Sequence, residues 1–141
     1  MTQILFLHGA ADRLQAAVQW LHQAWSQRRQ VLVFAPEAAV AAQVDRLMWT
    51  QPKLAFLPHC RNDSPLATET PIVITDDLTA PPQQHCLLNL SNDLAPTFAR
   101  FEQLVEIVST EDSDRLPARS RFTFYRDRGY AIENRDISGG L

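Results

Sequence analysis

Ile4-Leu5-Phe6-Leu7-His8-Gly9 opens the chain, and Val31-Leu32-Val33-Phe34-Ala35-Pro36 follows it one helix later. Both runs are short, wholly apolar and end on turn or helix-start residues, the pattern of strands buried on both faces. Between them Leu14, Val18, Leu21 and Trp25 recur at +4, +7 and +11, one face of a helix over about 12–29. Asp12 is placed to cap its start, and Arg28-Arg29 suit its negative end. Strand, helix and strand in this order form the unit of a parallel sheet.

The unit repeats downstream. Ala35-Pro36-Glu37 opens a second helix with Val40, Val44, Leu47 and Met48 on one face, ending near Trp49 because Pro52 cannot continue it. Residues 50–70 are rich in turn-formers and read as irregular. Strands are predicted at 71–75, 86–90 and 105–108, with a short amphipathic helix through Phe98, Phe101 and Leu104 before the last. A final helix over about 113–127 stops at Gly129, whose freedom at positive φ suits a C-cap. The expectation is one α/β domain over 1–137, Rossmann-like, with a mostly parallel central sheet and helices on both faces. Ser138 to Leu141 read as a frayed tail.

Composition narrows the function. The chain has 141 residues, with 45% apolar and 21% charged side chains, enough for one full core. No run approaches the ~18 apolar residues of a membrane span. The N-terminus lacks the basic region of a signal peptide. Two cysteines, Cys60 and Cys86, exclude a disulfide-dense scaffold and fit a reducing cytoplasm. Glycines stand only at 9, 129, 139 and 140, so a glycine-rich phosphate loop is excluded by counting.

The net charge of −3 conceals an asymmetry: Lys53 is the lone lysine beside twelve arginines. Six of the arginines, Arg115, Arg119, Arg121, Arg126, Arg128 and Arg135, follow an acidic stretch containing Glu102, Glu106, Glu111, Asp112 and Asp114. Arginine forks match carboxylate or phosphate bidentately, so the cluster suggests recognition of one defined anion, against the plainer reading of a solvated basic face. Arg115, Arg119, Phe122 and Arg126 fall at i, +4, +7 and +11 on one helical face. Pro117 either lies in the first turn of that helix or displaces Arg115 onto the preceding loop.

Residues with catalytic or ligating chemistry are sparse. His59-Cys60 and His85-Cys86 offer four zinc-type donors, but neighbours on an extended chain point to opposite faces. A Cys60 nucleophile lacks a local signature, and a buried inert thiol is the simpler reading. His8 ends the first strand, where open α/β sheets bind ligands, though no phosphate loop accompanies it. Asp76-Asp77 reads better as a loop cap than as a magnesium pair. No enzyme emerges, and no metal or cofactor is expected.

Three stretches carry a resemblance. Leu47-Met48-Trp49 with Pro52, Phe56 and Pro58-His59 forms the first. Pro71-Ile72-Val73-Ile74, Leu88-Asn89-Leu90, Phe98, Phe101 and Val105-Glu106-Ile107-Val108 form the second. Ala118-Arg119-Ser120-Arg121-Phe122, Tyr125-Arg126 and Gly129-Tyr130 form the third. In order, spacing and length the chain resembles the chi subunit family of the bacterial DNA polymerase III holoenzyme.

That resemblance implies a non-enzymatic, cytoplasmic bridge. One surface would bind the psi subunit, and through it the clamp loader. Another would bind the C-terminal tail of the single-stranded DNA-binding protein, so that DNA is met only indirectly and no membrane is involved. The tail is acidic and ends in a phenylalanine bearing the terminal carboxylate, so its receptor needs a forked cation beside an apolar pocket. Arg119 matches the family's principal tail-binding arginine and Arg115 a neighbouring basic position. Phe122 and Val108 match the pocket walls, with Arg126 on the same face. Thr123 stands where the family has a lysine, leaving Arg121 or Arg126 to compensate or the tail to bind more weakly. For psi, the matched region offers Trp49, Phe56, Pro58 and His59 as anchors. Two other classes stay open: a small nucleic-acid-binding module using the arginine face on phosphates, and a small-ligand enzyme built around His8 and Asp76.

Overall fold

The structure, a computed structural model, describes residues 1–50 and 57–141. Among the described residues seven strands form one sheet: β1 (Gln3–Ala10), β2 (Val31–Phe34), β3 (His59–Arg61), β4 (Ile72–Thr75), β5 (Cys86–Asn89), β6 (Gln103–Ser109) and β7 (Ile132–Asp136). They lie in the order β3-β4-β2-β5-β6-β1-β7, and every pairing is parallel. Helices α1 (Arg13–Ser26), α2 (Ala38–Thr50) and α3 (Asp112–Asp127) make the crossovers. The Rossmann-like α/β expectation holds.

Alternation along the strands sorts the core into two layers. Leu5, Leu7, Val31, Val33, Ile72, Ile74, Leu88, Val105 and Ile107 face α1 and α2 with Val18, Leu21, Val44 and Met48. Ile4, Leu32, Phe34, Val73, Leu87 and Leu104 face the other way, with Phe98, Phe101 and Tyr125. Asp12 caps α1 as expected, accepting from Leu14 N at 3.0 Å and Gln15 N at 3.1 Å. Arg28 follows the helix at φ 57 with its guanidinium 4.3 Å from the centroid of the Trp25 ring. At the end of α3, Gly129 takes φ +82 and Tyr130 N bonds Tyr125 O at 3.1 Å, closing the last turn.

Four local expectations change. β3 lies within the turn-rich segment: three residues suffice because His59, Cys60 and Arg61 pair in register with Ile72, Val73 and Ile74. β7 carries no apolar signal, since it is an edge strand whose Glu133, Asn134, Arg135 and Asp136 are all exposed. The helix expected through Phe98, Phe101 and Leu104 is a single 3-10 turn, Phe98–Arg100, and Leu104 belongs to β6. Pro117 sits inside an unbroken α3, so Arg115 is helical rather than in a loop. Beyond β7, Ile137 is buried and its N–H bonds His8 O at 2.8 Å, while Ser138 N bonds Asp136 Oδ1 at 2.8 Å.

A buried polar network joins α3 to the sheet. Glu106 on β6 is fully buried, not part of a solvated acidic stretch. Its Oε2 accepts from Tyr125 OH at 2.6 Å, Asn89 Nδ2 at 3.1 Å and Arg121 Nε at 3.1 Å. Burial first, and then the Glu106 carboxylate, push the Tyr125 hydroxyl far above the usual phenol range, so it stays a donor. Arg13, at the start of α1, ties the strand ends from the other side: it donates to Ile107 O at 2.8 Å and Ser91 O at 2.9 Å. Burial draws its pKa below the ordinary arginine value.

Tyr125→Phe removes one donor from a buried carboxylate and is expected to cost about 1–3 kcal/mol of stability. Arg121→Ala strands that carboxylate without its cation and is expected to cost about 3–5 kcal/mol. Urea denaturation followed by circular dichroism reads both; unchanged midpoints would mean that the network does not hold α3.

Candidate functional site

Connections leaving the sheet diverge at β1 and β6. The β1 crossover runs toward β2 past β6 and β5, whereas the β6 crossover runs the opposite way past β1 to β7. The carboxyl ends of two neighbouring strands thus open a crevice between loops that go apart, where open α/β sheets receive ligands. A groove of about 600 Å3 lies there, beneath α3. Its floor is Phe6, His8 and Gly9 from β1, Val108, Ser109 and Thr110 from the end of β6, and Asn134 from β7. Its helical wall is Arg115, Ala118, Arg119, Phe122 and Thr123.

Helix and strand periods explain this set. Residues 115, 118, 119 and 122 share one face of α3 at +3, +4 and +7, and Phe6 and Val108 project from the strands toward that face. Phe122 meets Phe6 edge-to-face, ring centroids 5.2 Å apart, and is half-buried, so part of its ring is left to an incoming group. Arg115 and Arg119 are exposed at the rim. Arg115 pairs with Asp112 at 2.5 Å, one turn back. Among the described residues Arg119 joins no ion pair. The result is an apolar slot with one uncommitted guanidinium at its mouth, able to take a carboxylate attached to a hydrophobic group.

Four of the five residues assigned to the anion pocket, Arg115, Arg119, Phe122 and Val108, therefore come together. Arg126 does not line the groove; its Nε faces Asp127 at 3.3 Å. Arg121 cannot stand in for a missing lysine, because it is spent inside the protein on Glu106 and on Asn92 O at 2.9 Å. Thr123 itself lines the groove, so the position is there and its charge is not. Nor do the arginines form a continuous basic face: Arg121 is buried, and Arg115, Arg126 and Arg135 each face a carboxylate. Phe6, Ala118 and Asn134 lie outside the sequence-based set; helical spacing from Arg115 and Phe122 points to Ala118 and alternation from His8 back to Phe6 points to Phe6, whereas Asn134 carries no such signal.

The second candidate surface lies at the opposite edge. Trp49 ends α2 with 61% of its surface exposed, and its ring stands 4.9 Å from the imidazole of His59. His59 is held by Asp45 Oδ1 at 2.9 Å and Leu57 O at 2.7 Å, and Pro58 beside it is half-buried. Phe56 lies outside the described residues.

Other ligating chemistry does not converge. His59-Cys60 sits on β3 and His85-Cys86 at β5, with β4 and β2 between them, so the pairs are about 14 Å apart and cannot share one ion. Burial pushes the Cys86 thiol up to about 12, away from nucleophilic use. Asp77 Oδ1 accepts from Thr79 N at 2.9 Å and Thr79 Oγ1 at 2.7 Å, capping its own turn. Among the described residues no helix is long and apolar enough to cross a membrane.

Comparison with known proteins finds relatives along nearly the whole chain. Residues 1–133 match the family model described as DNA polymerase III chi subunit, HolC. The DNA polymerase III subunit chi of Pseudomonas aeruginosa is 31% identical over 124 residues, covering 86% of this chain and 84% of that protein. The subunit chi of Escherichia coli is 24% identical over 109 residues, 77% of this chain and 74% of that one. The Haemophilus influenzae subunit is 25% identical over 117 residues, 80% and 79% of the two chains. The chain belongs to the DNA polymerase III chi subunit family.

Proposed function

We propose that this chain is a non-catalytic accessory subunit that bridges a psi subunit, and with it the clamp loader, to the C-terminal tail of the single-stranded DNA-binding protein. The observation that carries the tail-binding half is the groove: an apolar slot of Phe6, Phe122 and Val108 with the unpaired Arg119 at its rim. A peptide ending in phenylalanine presents a ring and a carboxylate joined at one residue, which this slot and this cation fit together. Arg115, partly engaged by Asp112, adds attraction from the same side, and Arg126 contributes at longer range.

Separation supports the bridge. The groove centres on β1, with β6 and β7 beside it, while Trp49, Pro58 and His59 lie at β3, five strand spacings or about 24 Å from β1 across the sheet. Two partners at such a distance need not compete. Contact with DNA is then indirect, consistent with Arg115, Arg121, Arg126 and Arg135 each facing a carboxylate instead of forming one continuous basic face.

Two outcomes are expected. Arg119→Ala removes a charge-assisted contact and should cost about 2–4 kcal/mol, or roughly 30- to 1000-fold, in affinity for a tail peptide measured by calorimetric titration. Equal affinities for wild type and folded mutant would move the anion site elsewhere. Phe56→Ala, or Trp49→Ala, should weaken the one-to-one psi complex in analytical ultracentrifugation while leaving tail binding intact. A folded double mutant that binds psi normally would remove this edge from the interface.

A further inference from the structure

The groove has a second polar wall that the α3 arginines do not account for. At the end of β1 the pairing with β6 slips: Leu7 stands opposite Ile107, but Ala10 stands opposite Ser109. Two residues, His8 and Gly9, thus face the single Val108, and the strand bulges there. Such a bulge re-aims a side chain at the end of a ladder. Gly9 makes it possible: its φ is +83, and a Cβ would stand 2.8 Å from Asp136 Oδ1. The backbone is pinned in place because His8 O accepts from Ile137 N at 2.8 Å. The half-buried imidazole of His8 lines the groove from the strand side, while Arg119 lines it from the helix side.

We propose that His8 is the second anion-binding group of the groove, closing on the ligand carboxylate opposite Arg119 and taking up a proton as it does so. The inference rests on the tail-binding reading above and deepens it. The charged groups around His8 come from three elements. β7 contributes Asp136, directly opposite in register, whose carboxylate is held below the usual range by the Ser138 N–H first and by His8 in the same direction. α3 contributes the cations Arg115 and Arg119, and β6 contributes only the neutral Val108, Ser109 and Thr110. Arg115 is already engaged by Asp112, which leaves Arg119 and Asp136 as the charged groups on the two sides of the imidazole. A carboxylate bound between Arg119 and His8 places a negative charge beside the ring and favours the imidazolium, one of whose ring N–H groups donates to the anion.

The probe is an acidic peptide ending in a free phenylalanine carboxylate, titrated calorimetrically into the full chain near pH 8 and near pH 6. Affinity should rise about two- to fivefold at the lower pH, the strength of one added, partly exposed ion pair. Repeating the titration in buffers of different ionisation enthalpy should reveal net proton uptake, a measurement on wild type that requires no mutant to fold. His8→Gln should abolish both the uptake and the pH dependence, and amidation of the peptide's C-terminus should do the same. Binding that depends on Arg119 yet takes up no proton, or a pH dependence that survives in folded His8→Gln, overturns the role of His8 alone. Binding indifferent to Arg119→Ala at both pH values overturns the groove reading, and this inference with it.

Discussion

The Glu106 carboxylate is the constraint around which the ligand-facing half of the molecule is arranged. It is buried on the central strand pair and must be hydrogen-bonded wherever it lies, because an isolated buried charge is not sustainable. Arg121 and Tyr125 supply the partners, four residues apart on α3, and Asn89 supplies one from β5. These bonds to Glu106 Oε2 therefore set both the rotation and the height of the helix above the sheet. With Arg121 and Tyr125 turned inward, Ala118 and Phe122 are carried to the strand side and Arg115 and Arg119 to the rim. The pocket is a consequence of how the buried charge is neutralised.

That arrangement separates two kinds of arginine that composition cannot tell apart. Arg13 and Arg121 are internal ties, holding strand carbonyls and a carboxylate at positions where lysine, with a single point charge, would satisfy fewer acceptors. Arg119 lies exposed at the rim of the groove and joins no ion pair among the described residues. The absence of a glycine-rich phosphate loop fits the same logic. The crevice at the divergence of β1 and β6 is the usual ligand position of the fold, but here it is furnished with an apolar slot and cations instead of backbone amides.

A parallel sheet with one largely apolar groove near one edge and an exposed aromatic near the other also sets the distance between them. The strands between them, β4, β2, β5 and β6, are among the most deeply buried parts of the chain, and interiors of this density do not deform continuously. The groove and the exposed aromatic therefore occupy separate places on one continuous sheet.

The sequence by itself determined the fold class, because the period of apolar residues is a local property. Val31 to Phe34 and Leu14 to Trp25 announce a buried strand and a one-faced helix without reference to anything else, and Asp12 and Gly129 mark helix ends by their own chemistry. The arginine-and-phenylalanine face of α3 was legible for the same reason. Only the tertiary structure decided which face-sharing residues matter. Arg121 and Arg126 look alike in sequence, yet one is buried on a charge fifteen residues upstream and the other lies against its neighbour Asp127. β7 and β3 exist because long-range pairing partners accept them, not because their residues prefer to be strands. The bulge that aims His8 depends on Gly9, β6 and β7 meeting at one point, a juxtaposition that no local pattern encodes.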